Sequence, residues 1–197
     1  MYYMKTAMLR AATALLALAT VLSAADNPRP APELVIKMAN GQEQLLSKYR
    51  GKVVALEFLL TTCPHCQRAS QTMNKLYREL GSQGFQPLGV AINDMANMLV
   101  ADYVKQFNLT YPVGFTHRDT ATQFLQHPVM MSLMMPQLVV IDRKGVIRHQ
   151  YAGNDKFFEN EEKNLRELLT PMLKGGTAPI SAAPRKPTAT AARKSEK

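Results

Sequence analysis

From Leu34 to Met172 the apolar positions alternate between unbroken runs and helical spacing. Leu34-Val35-Ile36 predicts a short first strand, and Leu45 to Gly51 leads through a turn into the continuous run Val53 to Leu60. A run of that length and composition predicts a strand buried on both faces. From Pro64 to Leu80, Ala69, Met73, Leu76, Tyr77 and Leu80 fall on one helical stripe, with Gly81 as its stop. Pro87 to Ile92 predicts a second buried strand, and Asp94 is placed to cap a helix carrying Leu99, Tyr103, Val104 and Phe107. A short strand at Tyr111 to Phe115, a helix at Thr120 to Gln126 and a strand at Leu138 to Ile141 follow. Asp142-Arg143-Lys144-Gly145 turns that strand back into Val146 to Tyr151 as a hairpin. A last helix, from about Phe157 to Thr170, groups Phe158, Leu165, Leu169 and Met172. Alternating strands and helices followed by a hairpin predict an α/β fold, a mixed central sheet flanked by helices on both faces.

Composition divides the 197 residues into three parts. Lys5 and Arg10 precede the uncharged stretch Ala11 to Ala25, with Ser23-Ala24-Ala25 as a cleavage-type ending, so residues 1–25 read as a secretory signal peptide. An uncleaved N-terminal anchor is the alternative, and either reading puts the protein in an oxidising, extracytoplasmic or periplasmic space. Residues 26–174 have the length of one domain with its own core. Residues 175–197 form an Ala/Pro-rich basic tail that buries too little apolar surface to order. The tail contributes +4 and the leader +2 to the net charge of +9, leaving +3 for the domain. With no basic stripe interleaved with aromatics, nucleic-acid binding is excluded as an expectation.

The only two cysteines of the chain occur as Cys63-Pro64-His65-Cys66, directly after the Val53 to Leu60 run. Where a strand turns into a helix at Pro64, the Cys63 sulfur sits beside free backbone N–H groups, and the helix dipole favours an anion. The nearby His65 imidazole acts in the same direction. Cys63 is therefore expected to be the attacking thiol. Cys66, one turn further in and pointing toward the protein, is expected to be the resolving thiol. A zinc site would need a second ligand pair, and His65, His117, His127 and His149 form none, so no metal is expected. A structural disulfide closing so short a loop would add little stability. A redox-active dithiol is the expected chemistry.

Glu57 interrupts the middle of the apolar strand. Burying an acid is costly unless it is paired, and desolvation raises its pKa toward the range of a proton-transfer group. The competing expectation is an ordinary salt bridge or an outward-facing edge position. A second oddity is His127 to Met135, with Met130, Met131, Met134 and Met135 close together. Groove or core packing is the first reading, and a soft surface for varied clients or a Cu(I) site are the alternatives.

Taken together, the strand, the CxxC pair, the helix and the block Met135-Pro136-Gln137-Leu138-Val139-Val140-Ile141-Asp142-Arg143-Lys144-Gly145 with Gly153 resemble the thioredoxin superfamily, most closely the secreted TlpA and ResA type of thiol–disulfide oxidoreductase. The resemblance covers residues 33–173 and implies a thioredoxin-like fold. It implies that Cys63 is the exposed nucleophile, that Cys66 resolves, and that Pro136 is a cis-proline facing the disulfide. Met135 would then offer backbone groups to an incoming peptide. Glu57, six residues before Cys63, matches the buried acid that shuttles the resolving thiol's proton. The partners implied are cysteine-containing client proteins and a thiol/disulfide electron partner, with no cofactor and no membrane contact beyond an N-terminal anchor.

The chain departs from the family in having Thr62 where thioredoxins usually carry Trp, and it has no Trp at all. Its Pro-His pair is that of DsbA, an oxidant, on a scaffold like that of reducing TlpA proteins, so the direction of electron flow stays open. Gly89 to Asn93 and Tyr111 to Val113 also resemble peroxiredoxin segments, which makes a thiol peroxidase the alternative enzyme, although Leu60 stands where those enzymes carry Thr or Ser. A Cu(I) chaperone is the non-enzyme alternative.

Overall fold

Seven successive buried residues, Val53 to Leu59, can be accommodated only in a strand covered on both faces, and that strand lies in the middle of the sheet. The computed structural model describes residues 27–175. The leader predicted for residues 1–25 lies outside the described residues, as does the predicted tail beyond Gly175.

In chain order the elements are β1 (Arg29–Pro30), β2 (Val35–Lys37), β3 (Glu43–Leu45), β4 (Val53–Leu59), α1 (Pro64–Leu80), β5 (Phe85–Ala91), α2 (Ala96–Gln106), β6 (Val113–Phe115), α3 (Arg118–Leu125), β7 (Gln137–Ile141), β8 (Val146–Ala152) and α4 (Glu161–Lys174). The eight strands form one sheet in the order β1-β8-β7-β4-β5-β6-β2-β3. Strands β4, β5 and β6 are parallel, while β7 runs antiparallel to β4 and is returned by the predicted hairpin to β8.

Successive side chains of a strand point to opposite faces. Val53, Ala55 and Leu59 accordingly meet Cys66, Met73 and Leu76 of α1, Val100 and Tyr103 of α2, and Leu165, Leu169 and Leu173 of α4. Val54, Leu56 and Phe58 face the other way, toward Ala121, Phe124 and Leu125 of α3. The mixed sheet with helices on both faces is as predicted. Glu57 shares its parity with Ala55 and Leu59, so it belongs to the face covered by α1.

Several local expectations are corrected. Helix α1 ends at Leu80 with Gly81 as its C-cap, as expected, but Gly81 has a right-handed φ of −60° and a 3-10 turn over Gly81–Gln83 follows, closed by Gly84 at φ +102°. Asp94 does not cap α2; Met95 occupies that position at φ 57°, without a side-chain cap. A 3-10 turn over Lys156–Asn160 precedes the last helix, and its third buried residue is Leu173 rather than Met172, completing the four-residue spacing from Leu165 and Leu169. Strands β1 and β3 have two and three residues, too few for any periodicity to mark them.

Candidate active site

The loop from β4 to α1 is held by bonds from three directions. The Cys63 N–H donates to Leu60 O at 3.0 Å, and Cys63 O accepts from the Gln67 N–H at 3.0 Å. Asn93 Oδ1, just past β5, accepts from the Thr61 N–H at 3.0 Å, while Gln67 Nε2 donates to Thr61 O at 3.0 Å. Cys63 thus stands as the N-cap of α1 in an extended conformation, with Pro64 opening the helix. Proline fits there because the N–H it lacks would have had no helical partner. Sequence reasoning missed Asn93 and Gln67, since a polar residue at a strand end or on a helix surface carries no signal by itself.

The two sulfurs occupy different environments. Both are free thiols; Cys63 is half-buried and Cys66 is fully buried. The Leu60 N–H lies 3.5 Å from Cys66 Sγ as its donor. Burial pushes the Cys66 thiol far up, with the negative charge of Glu57 and the adjacent Cys63 sulfur acting in the same direction. His65, on the first turn of α1, is exposed.

Glu57 lies beneath the pair. Its register partners are Gly89 on β5 and Leu138 on β7, and it is fully buried and joins no ion pair among the described residues, so the ion-pair and edge-facing expectations fall. Ser70 Oγ donates to Glu57 Oε2 at 2.7 Å, Tyr103 Oη donates to Ser70 Oγ at 2.9 Å, and Tyr111 Oη donates to Ser70 O at 3.3 Å. Glu57 Oε1 has no hydrogen-bond partner among the described residues. Burial raises the Glu57 pKa well above the ordinary carboxyl value; the Ser70 bond opposes this, and the charges of Glu161 and Cys63 add to it. Burial likewise raises Tyr111, with Glu57 second.

The Met135–Pro136 bond is cis. Phe58 pairs with Gln137, so the register one step further sets Pro136 at the end of β4, where the chain leaves for Cys63. Gln137 Nε2 donates to Met134 O at 2.5 Å, and the Gly153 N–H donates to the same oxygen at 3.1 Å. A Cβ on Gly153 would lie 2.1 Å from Met135 O, so only glycine admits this approach. Met135 is partly buried against both cores.

The other methionines of the Met130 to Met135 cluster lie outside the core: Met130 and Met131 are 96% and 63% exposed and Met134 is 46% exposed, so of the groove or core expectation the core half falls for them. His127 Nε2, as the donor, lies 3.1 Å from Met131 O. Among the described residues, no group of three or more His, Cys, Asp or Glu side chains is arranged to hold a metal ion.

A thioredoxin-like sheet carrying one accessible and one buried thiol at a strand–helix junction, over a buried acid, defines a thiol–disulfide oxidoreductase. The family model described as Redoxin matches residues 25–169, and the chain belongs to that family. It is 32% identical over 123 residues to thiol-disulfide oxidoreductase ResA of Geobacillus kaustophilus, spanning 62% of this chain and 67% of that relative. The ResA of Halalkalibacterium halodurans is 32% identical over 141 residues, spanning 72% and 76%. Among solved structures, a thiol:disulfide interchange protein of the thioredoxin family from Chlorobium tepidum superposes with a TM-score of 0.60 at 23% identity, covering 74% of this chain and 99% of that one, a likeness of fold.

Proposed function

We propose that the protein exchanges electrons with cysteine-bearing client proteins through a mixed disulfide on Cys63. Reduction of a client begins when Cys63 sulfur attacks one client sulfur, forming the mixed disulfide and releasing the other client sulfur as a thiolate. Cys66 then gives its proton to ionised Glu57 and attacks Cys63 Sγ. The Cys63–Cys66 bond forms, the client leaves as a second thiolate, and two electrons have passed to it. Oxidation of a client is the same sequence reversed.

The observation that carries this reading is the contrast between the half-buried Cys63 and the fully buried Cys66. Only the first can meet a protein disulfide, and only the second is shielded until the first has been captured. Pro136 and Met135, brought to the end of β4 by the sheet register, form the proposed docking edge for the client strand. An extracytoplasmic location is part of the proposal, supported by the uncharged stretch Ala11 to Ala25 and by the need of dithiol exchange for an oxidising space.

The test is trapping. Cys66→Ser in the full chain should accumulate covalent adducts with disulfide-bearing proteins that a reductant dissolves, and Cys63→Ser should form none. Release of partners by the Cys66 variant at the normal rate would reverse the assignment.

A further inference from the structure

A second acid lies on the helix that covers the Glu57 face of β4. Glu161 opens α4, and its side chain does not join the ion pairs that tie α4 to α1. Those pairs use its neighbours: Lys75 meets Glu162 at 2.8 Å, and Arg166 meets Glu79 at 2.7 Å and Glu162 at 3.2 Å. Glu161 Oε1 is instead buried with no hydrogen-bond partner among the described residues, the same condition as Glu57 Oε1. One turn further along α4, Leu165 is fully buried in the cluster that contains Cys66. On its outer side Glu161 borders a cleft of about 580 Å³ between α1 and α4, where Arg68, Thr72 and Asn160 also line the wall. Glu161 thus extends by one turn the stripe Leu165, Leu169 and Leu173, which covers the face of β4 from which Glu57 projects, and it also lines the cleft.

The surrounding charges fit a group that changes protonation. Burial lifts Glu161 to about 7, and Arg68 from α1 opposes that rise. Inside, its charge acts on Glu57 of β4 and on Tyr111, from the loop before β6. On its own helix, Glu162 and Arg166 are engaged with Lys75 and Glu79, and Lys163 lines the cleft. A buried carboxylate oxygen left unpaired disfavours the charged form while Arg68 favours it, so the group is balanced to take up and release a proton near neutral pH.

We propose that Glu161 is a positioning residue for the proton of the dithiol, sharing it with Glu57 and passing it between the interior and the cleft between α1 and α4. The inference rests on Glu57 accepting the Cys66 proton. During resolution Cys66 loses H⁺ to the Glu57 carboxylate as its sulfur bonds to Cys63. Glu57 is returned to its ionised form when the proton moves to Glu161, which releases it to water in the cleft. No electrons move in this step, and the proton count balances.

The full-length reduced protein is mixed with a nitrobenzoate aromatic disulfide, whose low-pKa leaving thiol makes the second phase of colour release report on Cys66 attack. Wild type, Glu161→Gln, Glu161→Asp and Glu57→Gln are compared across pH. Glu161→Gln should slow the second phase by about tenfold, less than the ~100-fold floor for a group that takes the proton directly. It should also remove the inflection near 7 while leaving the first phase unchanged, and Glu161→Asp should restore both. A Glu161→Gln profile that superimposes on wild type, while Glu57→Gln is altered, overturns the inference and leaves the role of Glu57 intact. Superimposable profiles for both variants overturn the inference together with the reading beneath it.

Discussion

Ser70 Oγ donates a 2.7 Å hydrogen bond to Glu57 Oε2, joining α1 one turn beyond Cys66 to the central strand beneath it. The bond satisfies one oxygen of an acid that the sheet has surrounded with apolar neighbours, and it locates that acid under the dithiol. Tyr103, itself the donor to Ser70 Oγ, extends the connection to α2. Three elements of the fold, β4, α1 and α2, thus converge on a single carboxyl.

Glu57→Gln is expected to make the protein more resistant to unfolding as pH rises. The folded-state pKa of Glu57 is raised, so its contribution to stability is complete below the ordinary carboxyl value and is lost as pH climbs through the raised value. Above about pH 4.5 the dependence of unfolding free energy on pH should therefore be flatter in the variant, by ~1.4 kcal/mol per pH unit, and urea midpoints across pH measure it. The same variant should resolve mixed disulfides more slowly near neutral pH, and an unchanged pH–rate profile would remove Glu57 from the mechanism.

Gly153→Ala should lower exchange activity without unfolding the protein. The added methyl group would meet Met135 O at 2.1 Å and Pro136 N at 2.9 Å, forcing the Met135–Pro136 turn away from its place at the end of β4. Overpacking of this kind costs about 1–3 kcal/mol. We expect a raised KM for protein clients with a native circular dichroism spectrum, and unaltered kinetics would show that the turn does not guide the client.

His65→Leu should make the reduction potential more negative. The imidazole is exposed on the first turn of α1 between the two cysteines, where a polar, ionisable neighbour favours the reduced pair. A shift of about 30 mV, tenfold in the equilibrium constant, is expected in a glutathione titration. The wild-type potential, placed between the thioredoxin value of about −270 mV and the DsbA value of about −120 mV, assigns the direction of electron flow.

Arg29→Met should destabilise the domain by about 1.5–3 kcal/mol, the range for hydrogen bonds to a charged group. The buried guanidinium donates to Phe124 O and to Gln150 Oε1, both at 3.0 Å, and so ties the N-terminal edge strand to the end of α3. Denaturant unfolding measures the loss; an unchanged midpoint would mean that the carbonyl finds another donor.

Paired substitution of Met130 and Met131 by Gln should leave stability within about 0.5 kcal/mol, because both side chains are exposed. If this loop contacts clients, KM for a protein disulfide rises while turnover of a small disulfide is unchanged. Equal kinetics on both substrates would exclude the loop from client binding.

Much of the architecture was legible along the chain. Helix α1 has the bounds its periodicity predicts, Pro64–Leu80, because its apolar stripe and the proline at its start are local features. The Asp142 to Gly145 reversal was equally legible, since Gly145 at φ +77° and the Asp142 carboxylate accepting from Lys144 and Val146 N–H groups act within a few residues. Where neighbours in sequence did not decide, the pattern misled. Asp94 has the right chemistry for a cap, but the left-handed Met95 takes that place, and after Gly81 the chain adds a 3-10 turn that Gly84 closes.

The order of residues alone determined that two thiols meet at the junction of a buried strand and a helix, one just before the helix start and the other in its first turn, because strand and helix periods are properties of short stretches. It also marked Glu57 as an acid in an apolar strand. Only the tertiary structure decided that Glu57 faces α1 rather than α3, that Ser70 meets it, and that the helix opened by Glu161, over a hundred residues away, covers the same face of β4. Those outcomes depend on which surfaces the sheet order brings together, and contacts between distant segments leave no periodic trace in the chain that makes them.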